Sequence, residues 1–185
     1  MSSNRSRSRK ESSKIAFCGL MVALSVVLML TGGLIPIATY CAPMAAGLLL
    51  LPILLEYGKK ASWTAYAAVS LISLLLGADK EAAFFYLFLG YYPLLKWEID
   101  RIKNRRLHLP CKLLVFNIAV IMMYLILGFL LNMQAIIQEF SDMGMVFTLL
   151  FLIMLNACLL IYDRLLFPML YLYANKIKPR LKFLH

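Results

Sequence analysis

Three consecutive charged residues, Asp79, Lys80 and Glu81, lie between two strongly apolar runs in the stretch LLLGADKEAAFFYLFLGYYP. A polar turn explains them, because a carboxylate at Glu81 suits the positive end of a helix that begins there. Three aromatic residues also follow Glu81 at helical spacing, namely Phe85, Phe88 and Tyr92. One helix face then carries an acid beside aromatic rings. The stretch therefore predicts either a polar turn or the edge of a site for a small, flat, polar ligand.

No arrangement of residues in the sequence predicts catalysis. There is no P-loop, no H-E-x-x-H and no G-x-S-x-G motif, so we predict neither a nucleotide site nor a hydrolase. The four cysteines are far apart and lack the C-x-x-C spacing of metal and redox sites. No folded nucleic-acid module accompanies the basic N-terminus. We predict a protein that is not an enzyme and uses no metal, cofactor or nucleic acid.

The composition is that of an integral membrane protein. Hydrophobic residues make up 63% of the 185 residues, against roughly 45–50% in soluble domains. The chain contains six apolar segments, at residues 15–35, 41–57, 61–77, 82–95, 111–133 and 146–172. The third and fourth are short for a span of about 20 residues, so they either both cross or form one re-entrant hairpin. We predict an all-α, polytopic bundle of six transmembrane helices.

The distribution of basic residues predicts the orientation of this bundle. Of the 19 Lys and Arg residues, 17 fall in four clusters, within 1–14, 59–60, 96–112 and 176–182. Six crossings with a cytoplasmic N-terminus place all four clusters inside, as the positive-inside rule requires. We therefore predict a multi-pass protein of the cell membrane with both termini cytoplasmic. Its predicted parts are a disordered basic tail suited to anionic lipid, a membrane domain and a second basic tail, over 1–14, 15–175 and 176–185.

Small residues share one face of the first predicted helix. These residues are Ala16, Gly19 and Ala23, and small side chains let helix backbones approach closely within a membrane. The face is predicted to serve either packing inside the bundle or docking of a partner subunit.

Few polar residues fall inside the predicted spans. Asn117 and Asn156 are predicted to form hydrogen bonds between helices, which is the ordinary role of asparagine in a membrane. Asp163 and Arg164 are adjacent and point in different directions on a helix, so each needs another partner or the membrane interface.

The opening KIAFCGLMVALSVV, with Ala16, Gly19 and Ala23, resembles a motif of the substrate-binding S components of energy-coupling-factor (ECF) vitamin transporters. Those proteins present small residues to a shared transmembrane coupling subunit, usually as an alanine–alanine pair, whereas Gly19 pairs with Ala23 here. The stretch GGLIPIATYCAP falls where the first external loop of that family covers the ligand. The resemblance implies a small bacterial protein with six helices and both termini in the cytoplasm.

Our leading hypothesis is therefore a subunit that captures a small, water-soluble, vitamin-like nutrient from outside. It would depend on a coupling subunit and an ATPase in trans. The residues predicted to bind the substrate are Thr39 and Tyr40 as lid contacts, Asp79 and Glu81 for polar recognition, Phe85 for stacking, and Asn132 and Gln134 for hydrogen bonds. An alternative is a membrane scaffold or regulatory protein that recruits a partner through its basic loop KWEIDRIKNRRLHLPCK. A lipid-modifying enzyme is a third hypothesis, and it lacks a nucleophile, base or metal set.

Overall fold

The structure is a computed structural model that describes residues 2–32, 38–76, 79–126 and 134–180. These residues are helical almost throughout, and no strand occurs among them. The α-helices in these ranges are α1 (Ser2–Gly32), α2 (Ala38–Leu48), α3 (Leu50–Leu76), α4 (Lys80–Leu89), α5 (Tyr92–Ile99), α6 (His108–Leu125) and α7 (Gln134–Leu172). Short 3₁₀ turns cover Arg105–Leu107 and Lys178–Arg180, and a π-helical turn covers Tyr173–Ile177.

Three described helical stretches are long and apolar enough to cross a membrane: Glu11–Thr31, His108–Leu125 and Leu149–Ile177. Thr39–Leu48 and Leu50–Leu76 meet the same criterion together, with a bend of 52° between them, and counting them as one span raises the number to four. The predicted all-α class is thus confirmed for the described residues, and three or four of their helical stretches are long and apolar enough to span a membrane. The number of six spans and the side of the termini stay predictions.

Helix α1 begins at Ser2, so the stretch predicted as a disordered tail is helical here. A helix that is already nucleated extends at little cost, and the arginines and lysines of this tail are good helix formers. The domain boundaries at residues 14 and 175 stay a prediction.

Gly58 interrupts α3 with φ 77° and ψ −176°. This backbone conformation is essentially restricted to glycine, because a Cβ would clash with neighbouring backbone atoms. The break separates two helical pieces, 50–57 and 59–76, and it falls between the predicted segments 41–57 and 61–77. The sequence therefore placed this boundary correctly, whereas the predicted single segment 41–57 is divided at Leu49 between α2 and α3, with a bend of 52°.

The predicted segment 82–95 is divided into α4 and α5 at Gly90 and Tyr91. A Cβ added at Gly90 would lie 2.7 Å from Cδ2 of Tyr86, which is too close for any real contact. Tyr86 is fully buried, so its ring occupies the space that a side chain at Gly90 would need. Pro93 lies in the first turn of α5, where a missing N–H costs nothing.

The chain forms two compact units, Met1–Leu94 with Leu166–His185, and Leu95–Leu165. In the first unit, the rings of Phe17 and Tyr57 are 5.8 Å apart, and Ser25 Oγ donates to the carbonyl of Ala46 at 3.3 Å. As the residue number on α1 rises from 17 to 25, the number of the contacting residue falls from 57 to 46. Helix α1 therefore runs antiparallel to α2 and the first piece of α3.

The second piece of α3 runs antiparallel to α4 and the turn that follows it. The rings of Trp63 and Tyr91 are 6.1 Å apart, and those of Tyr66 and Tyr86 are 5.7 Å apart. A buried cluster draws residues from all four helices α1 to α4, namely Met29, Ala46, Val69, Ala82 and Tyr86. This packing holds the start of α2 beside the start of α4, where the candidate site lies.

Candidate functional site

Asp79 joins the start of α4 to the start of α2. It is the N-cap of α4, and its Oδ1 accepts a hydrogen bond from the amide of Ala82 at 3.1 Å. Its other oxygen, Oδ2, accepts from Thr39 Oγ1 at 2.7 Å. An N-cap side chain satisfies a helix amide that would otherwise lack a partner. Asp79 thus has a structural role in α4 and a contact with a predicted lid residue.

Tyr40 makes the second connection between these helices. Its hydroxyl donates to Glu81 Oε1 at 3.0 Å, and its ring packs edge-on against the buried ring of Phe85, with centroids 5.4 Å apart. Glu81 and Phe85 are four residues apart on α4, so one tyrosine contacts both. The acid and the aromatic residue share a face of α4, as the sequence predicts.

Five of the predicted substrate-binding residues therefore come together in the first unit: Thr39, Tyr40, Asp79, Glu81 and Phe85. We call this set the carboxylate cluster. The predicted residue Asn132 lies outside the described residues, and so does the side chain of Gln134, whose backbone begins α7.

The carboxylate cluster is acidic. Lys80, between the two acids, is exposed and its Nζ donates to the carbonyl of Leu74 at 3.0 Å. Asp79 forms no ion pair with any residue that the structure describes. Two carboxylates with hydroxyl donors and a ring beside them suit a small ligand that donates hydrogen bonds or carries positive charge.

Ala16, Gly19 and Ala23 are exposed on α1, and a Cβ added at Gly19 would meet no atom within 4 Å. The opposite face of the helix contains the buried Phe17, Ser25 and Met29. At Gly19, packing within the bundle therefore finds no neighbouring atom among the described residues. Docking of a partner stays a prediction.

Asn117 on α6 and Asn156 on α7 form the hydrogen bonds between helices that the sequence predicts. Each Nδ2 donates to the other residue's Oδ1, at 2.9 and 3.0 Å. Each also donates to the carbonyl four residues earlier in its own helix, at 2.7 and 2.8 Å. Both N–H bonds of each amide are thereby used, so this pair connects helices and is not available to a ligand.

An ion-pair network in the second unit was not predicted. Lys96 Nζ lies 2.8 Å from Asp163 Oδ1, and Lys112 Nζ lies 3.2 Å from the same atom. Lys112 also lies 2.7 Å from Asp100 Oδ1, and only 8% of its side chain is exposed. Asp163 thus has the partners that its position in α7 requires, while Arg164 is exposed. No local spacing marks this network, because Lys96 pairs with Asp163 and not with Asp100, which lies four residues after it.

No group of three or more His, Cys, Asp or Glu side chains that could hold a metal ion occurs in the described part of the chain. Comparison with known proteins found no family model, no curated protein and no solved structure that matches this chain. The carboxylate cluster and the small residues Ala16, Gly19 and Ala23 are therefore the features that bear on function.

Proposed function

We propose that this chain is the membrane-embedded substrate-capture subunit of an ECF-type importer for a small, water-soluble nutrient. It spans the cell membrane six times, and its termini are cytoplasmic. The nutrient binds on the outer side, at the carboxylate cluster. Transport depends on a coupling subunit and an ATPase in trans, because the sequence contains no nucleotide-binding motif.

One observation carries the proposal: residues from two helices about 40 positions apart bring both carboxylates and an aromatic ring together. Thr39 and Tyr40 were predicted in a loop that covers the ligand, and in the structure they lie in the first turn of α2. Their hydroxyls contact Asp79 and Glu81. A polar ligand group at this point would replace the hydroxyl–carboxylate hydrogen bonds with its own. Opening of the lid would then be linked to ligand binding.

The exposed face of α1 supports the second part of the proposal. Ala16, Gly19 and Ala23 offer a surface that another helix can approach closely. A substrate-capture subunit without an ATPase of its own needs such a contact.

The test is identification of small molecules that co-purify with the protein, by mass spectrometry. We compare wild type with the double variant Asp79→Asn, Glu81→Gln, which stays polar but removes both charges. A matched control, Glu11→Gln with Glu98→Gln, removes two carboxylates from other helices. The proposal expects one compound to be enriched with wild type and control.

Its affinity should fall about 10- to 150-fold in the double variant, since a hydrogen bond to a charged group contributes about 1.5–3 kcal/mol. Equal enrichment in all three proteins would show that the carboxylates are only a polar turn. A chain that enriches no compound but retains a protein partner through the loop within 96–112 would support the scaffold hypothesis instead.

A further inference from the structure

The segment 100–110, which we call the basic loop, comprises the connection from α5 to α6 and the first turn of α6, and it displays two kinds of side chain. Its basic residues Arg101, Lys103 and Arg106 are exposed. Interleaved with them are three exposed apolar residues, namely Ile102, Leu107 and Leu109, with exposed fractions of 41%, 52% and 52%. The positive-inside rule accounts for the charge of such a loop. It does not account for Ile102 and Leu107, which alternate with the charges at the surface before the candidate span His108–Leu125 begins.

The ion-pair network holds the basic loop at both ends. Asp100, at its start, pairs with Lys112 just beyond its end, and Lys112 in turn contacts Asp163 of α7. The positive charges of Lys96 and Lys112 are thereby neutralised within the protein. By contrast, Arg101, Lys103 and Arg106 pair with no acid among the described residues. These three charges are available to an external anion.

Two further features favour an anion at this surface. The guanidinium of Arg101 lies over the ring of Trp97, 5.5 Å from its centroid, which holds the charge close to the helix. Leu107, the N-cap of α6, provides no side-chain acceptor for the first amides of that helix. The positive end of α6 therefore adds to the field of the arginines and the lysine.

We propose that the basic loop binds the phosphate headgroups of anionic phospholipids. Arg101, Lys103 and Arg106 contact the phosphates, while Ile102, Leu107 and Leu109 enter the boundary between headgroups and acyl chains. Basic residues beside a membrane attract anionic lipid, and apolar neighbours add buried area. A free phosphate in solution would use the charges but would leave the apolar residues exposed to water.

The test titrates the purified full-length protein in neutral detergent with phosphatidylglycerol and with phosphatidylcholine, and counts bound lipid by native mass spectrometry. The main variant is Arg101→Gln with Lys103→Gln and Arg106→Gln. The matched control removes three exposed charges elsewhere: Lys60→Gln with Lys80→Gln and Lys176→Gln. Thermal unfolding in the same detergent checks that all proteins are folded.

We expect wild type and control to prefer phosphatidylglycerol. The main variant should lose about 100-fold in apparent affinity for it, at roughly fivefold per basic residue. Leu107→Ser with Leu109→Ser should also weaken binding, although the charges remain. Inorganic phosphate should displace the lipid poorly.

The proposal fails if the main variant still prefers phosphatidylglycerol to phosphatidylcholine. That result would favour a protein as the partner of the basic loop. It also fails if the control loses the preference equally, because net charge alone would then explain binding. Efficient displacement by inorganic phosphate, or no effect of the two serine substitutions, would identify a plain anion site. None of these results depends on whether the carboxylate cluster binds a nutrient.

Discussion

Asn117 and Asn156 exchange two hydrogen bonds through their side-chain amides, which connects α6 to α7 inside a predicted membrane bundle. The pair satisfies its own donors completely, since the remaining N–H of each amide donates to its own helix. The stabilisation requires both residues, so the effects of substituting Asn117 and Asn156 on stability should be strongly coupled.

We expect Asn117→Leu and Asn156→Leu each to lower the free energy of unfolding by about 1–2 kcal/mol, because one amide then lacks its partner. The double variant should cost less than the sum of the single variants, as two leucines can pack without an unsatisfied group. Unfolding by SDS in mixed micelles measures all four proteins. Strictly additive effects would mean that the amides act independently.

Substitution of Gly19, Gly58 or Gly90 by alanine adds the same methyl group in three different environments. Gly19→Ala should stabilise the protein by about 0.5–1 kcal/mol, since space is open and alanine favours a helix. Gly58→Ala meets no atom either, so its expected cost of about 1–3 kcal/mol arises from the backbone at φ 77°. Gly90→Ala should cost about 1–3 kcal/mol because the added methyl group would lie 2.6 Å from the carbonyl oxygen of Tyr86 and 2.7 Å from its ring.

The SDS unfolding assay measures this series as well. Gly19→Ala is the internal control, because it adds the same methyl group without strain or clash. Tyr86→Leu should relieve only the part of the cost of Gly90→Ala that the ring causes, because the carbonyl oxygen of residue 86 remains 2.6 Å from the added methyl group. Full relief would assign the cost to the ring alone.

Asp163→Asn should destabilise the protein by about 2–3 kcal/mol, because it leaves Lys96 and the buried Lys112 short of negative charge. We expect a smaller cost than for a fully buried ion pair, because Asp100, whose side chain is 40% exposed, still pairs with Lys112. Arg164→Gln, at the neighbouring exposed position, should stay within about 0.5 kcal/mol of wild type. Equal stability of the two variants would show that the ion-pair network does not stabilise this fold.

The orientation of the bundle can be tested by labelling single cysteines on intact cells. In a background without Cys18, Cys41, Cys111 and Cys158, a cysteine at Lys80 should react with a membrane-impermeant thiol reagent. A cysteine at Lys103 should react only after the membrane is permeabilised, because the positive-inside rule places it in the cytoplasm. The reverse pattern would place the carboxylate cluster on the inner side.

Gly19→Leu tests the exposed face of α1. The open space at this position predicts that stability in detergent is unchanged, whereas a large side chain would block close approach of a partner helix. Co-purification with a coupling subunit should therefore decrease. Gly19→Ala serves as the small-residue control, and loss of stability in Gly19→Leu would assign the face to internal packing.

The amino-acid sequence by itself determined the class of this protein and much of its local structure. An apolar content of 63% predicts membrane helices, and the break in α3 falls at the glycine that precedes Lys59 and Lys60. Helical spacing placed Glu81 and Phe85 on one face, because residues four apart are neighbours on any helix. Buried side-chain amides in a membrane need hydrogen-bond partners, and this rule predicted the hydrogen bonds between Asn117 and Asn156.

Tertiary structure decided which distant residues meet. Thr39 and Asp79 are 40 positions apart, and no local pattern specifies that their helices start side by side. That arrangement follows from the packing of α1 to α4 around Tyr86. Likewise, the partners of Asp163 are Lys112 and Lys96, which lie 51 and 67 positions before it in the chain. Charge pairs of this kind depend on three-dimensional proximity and burial, and a linear sequence specifies neither directly.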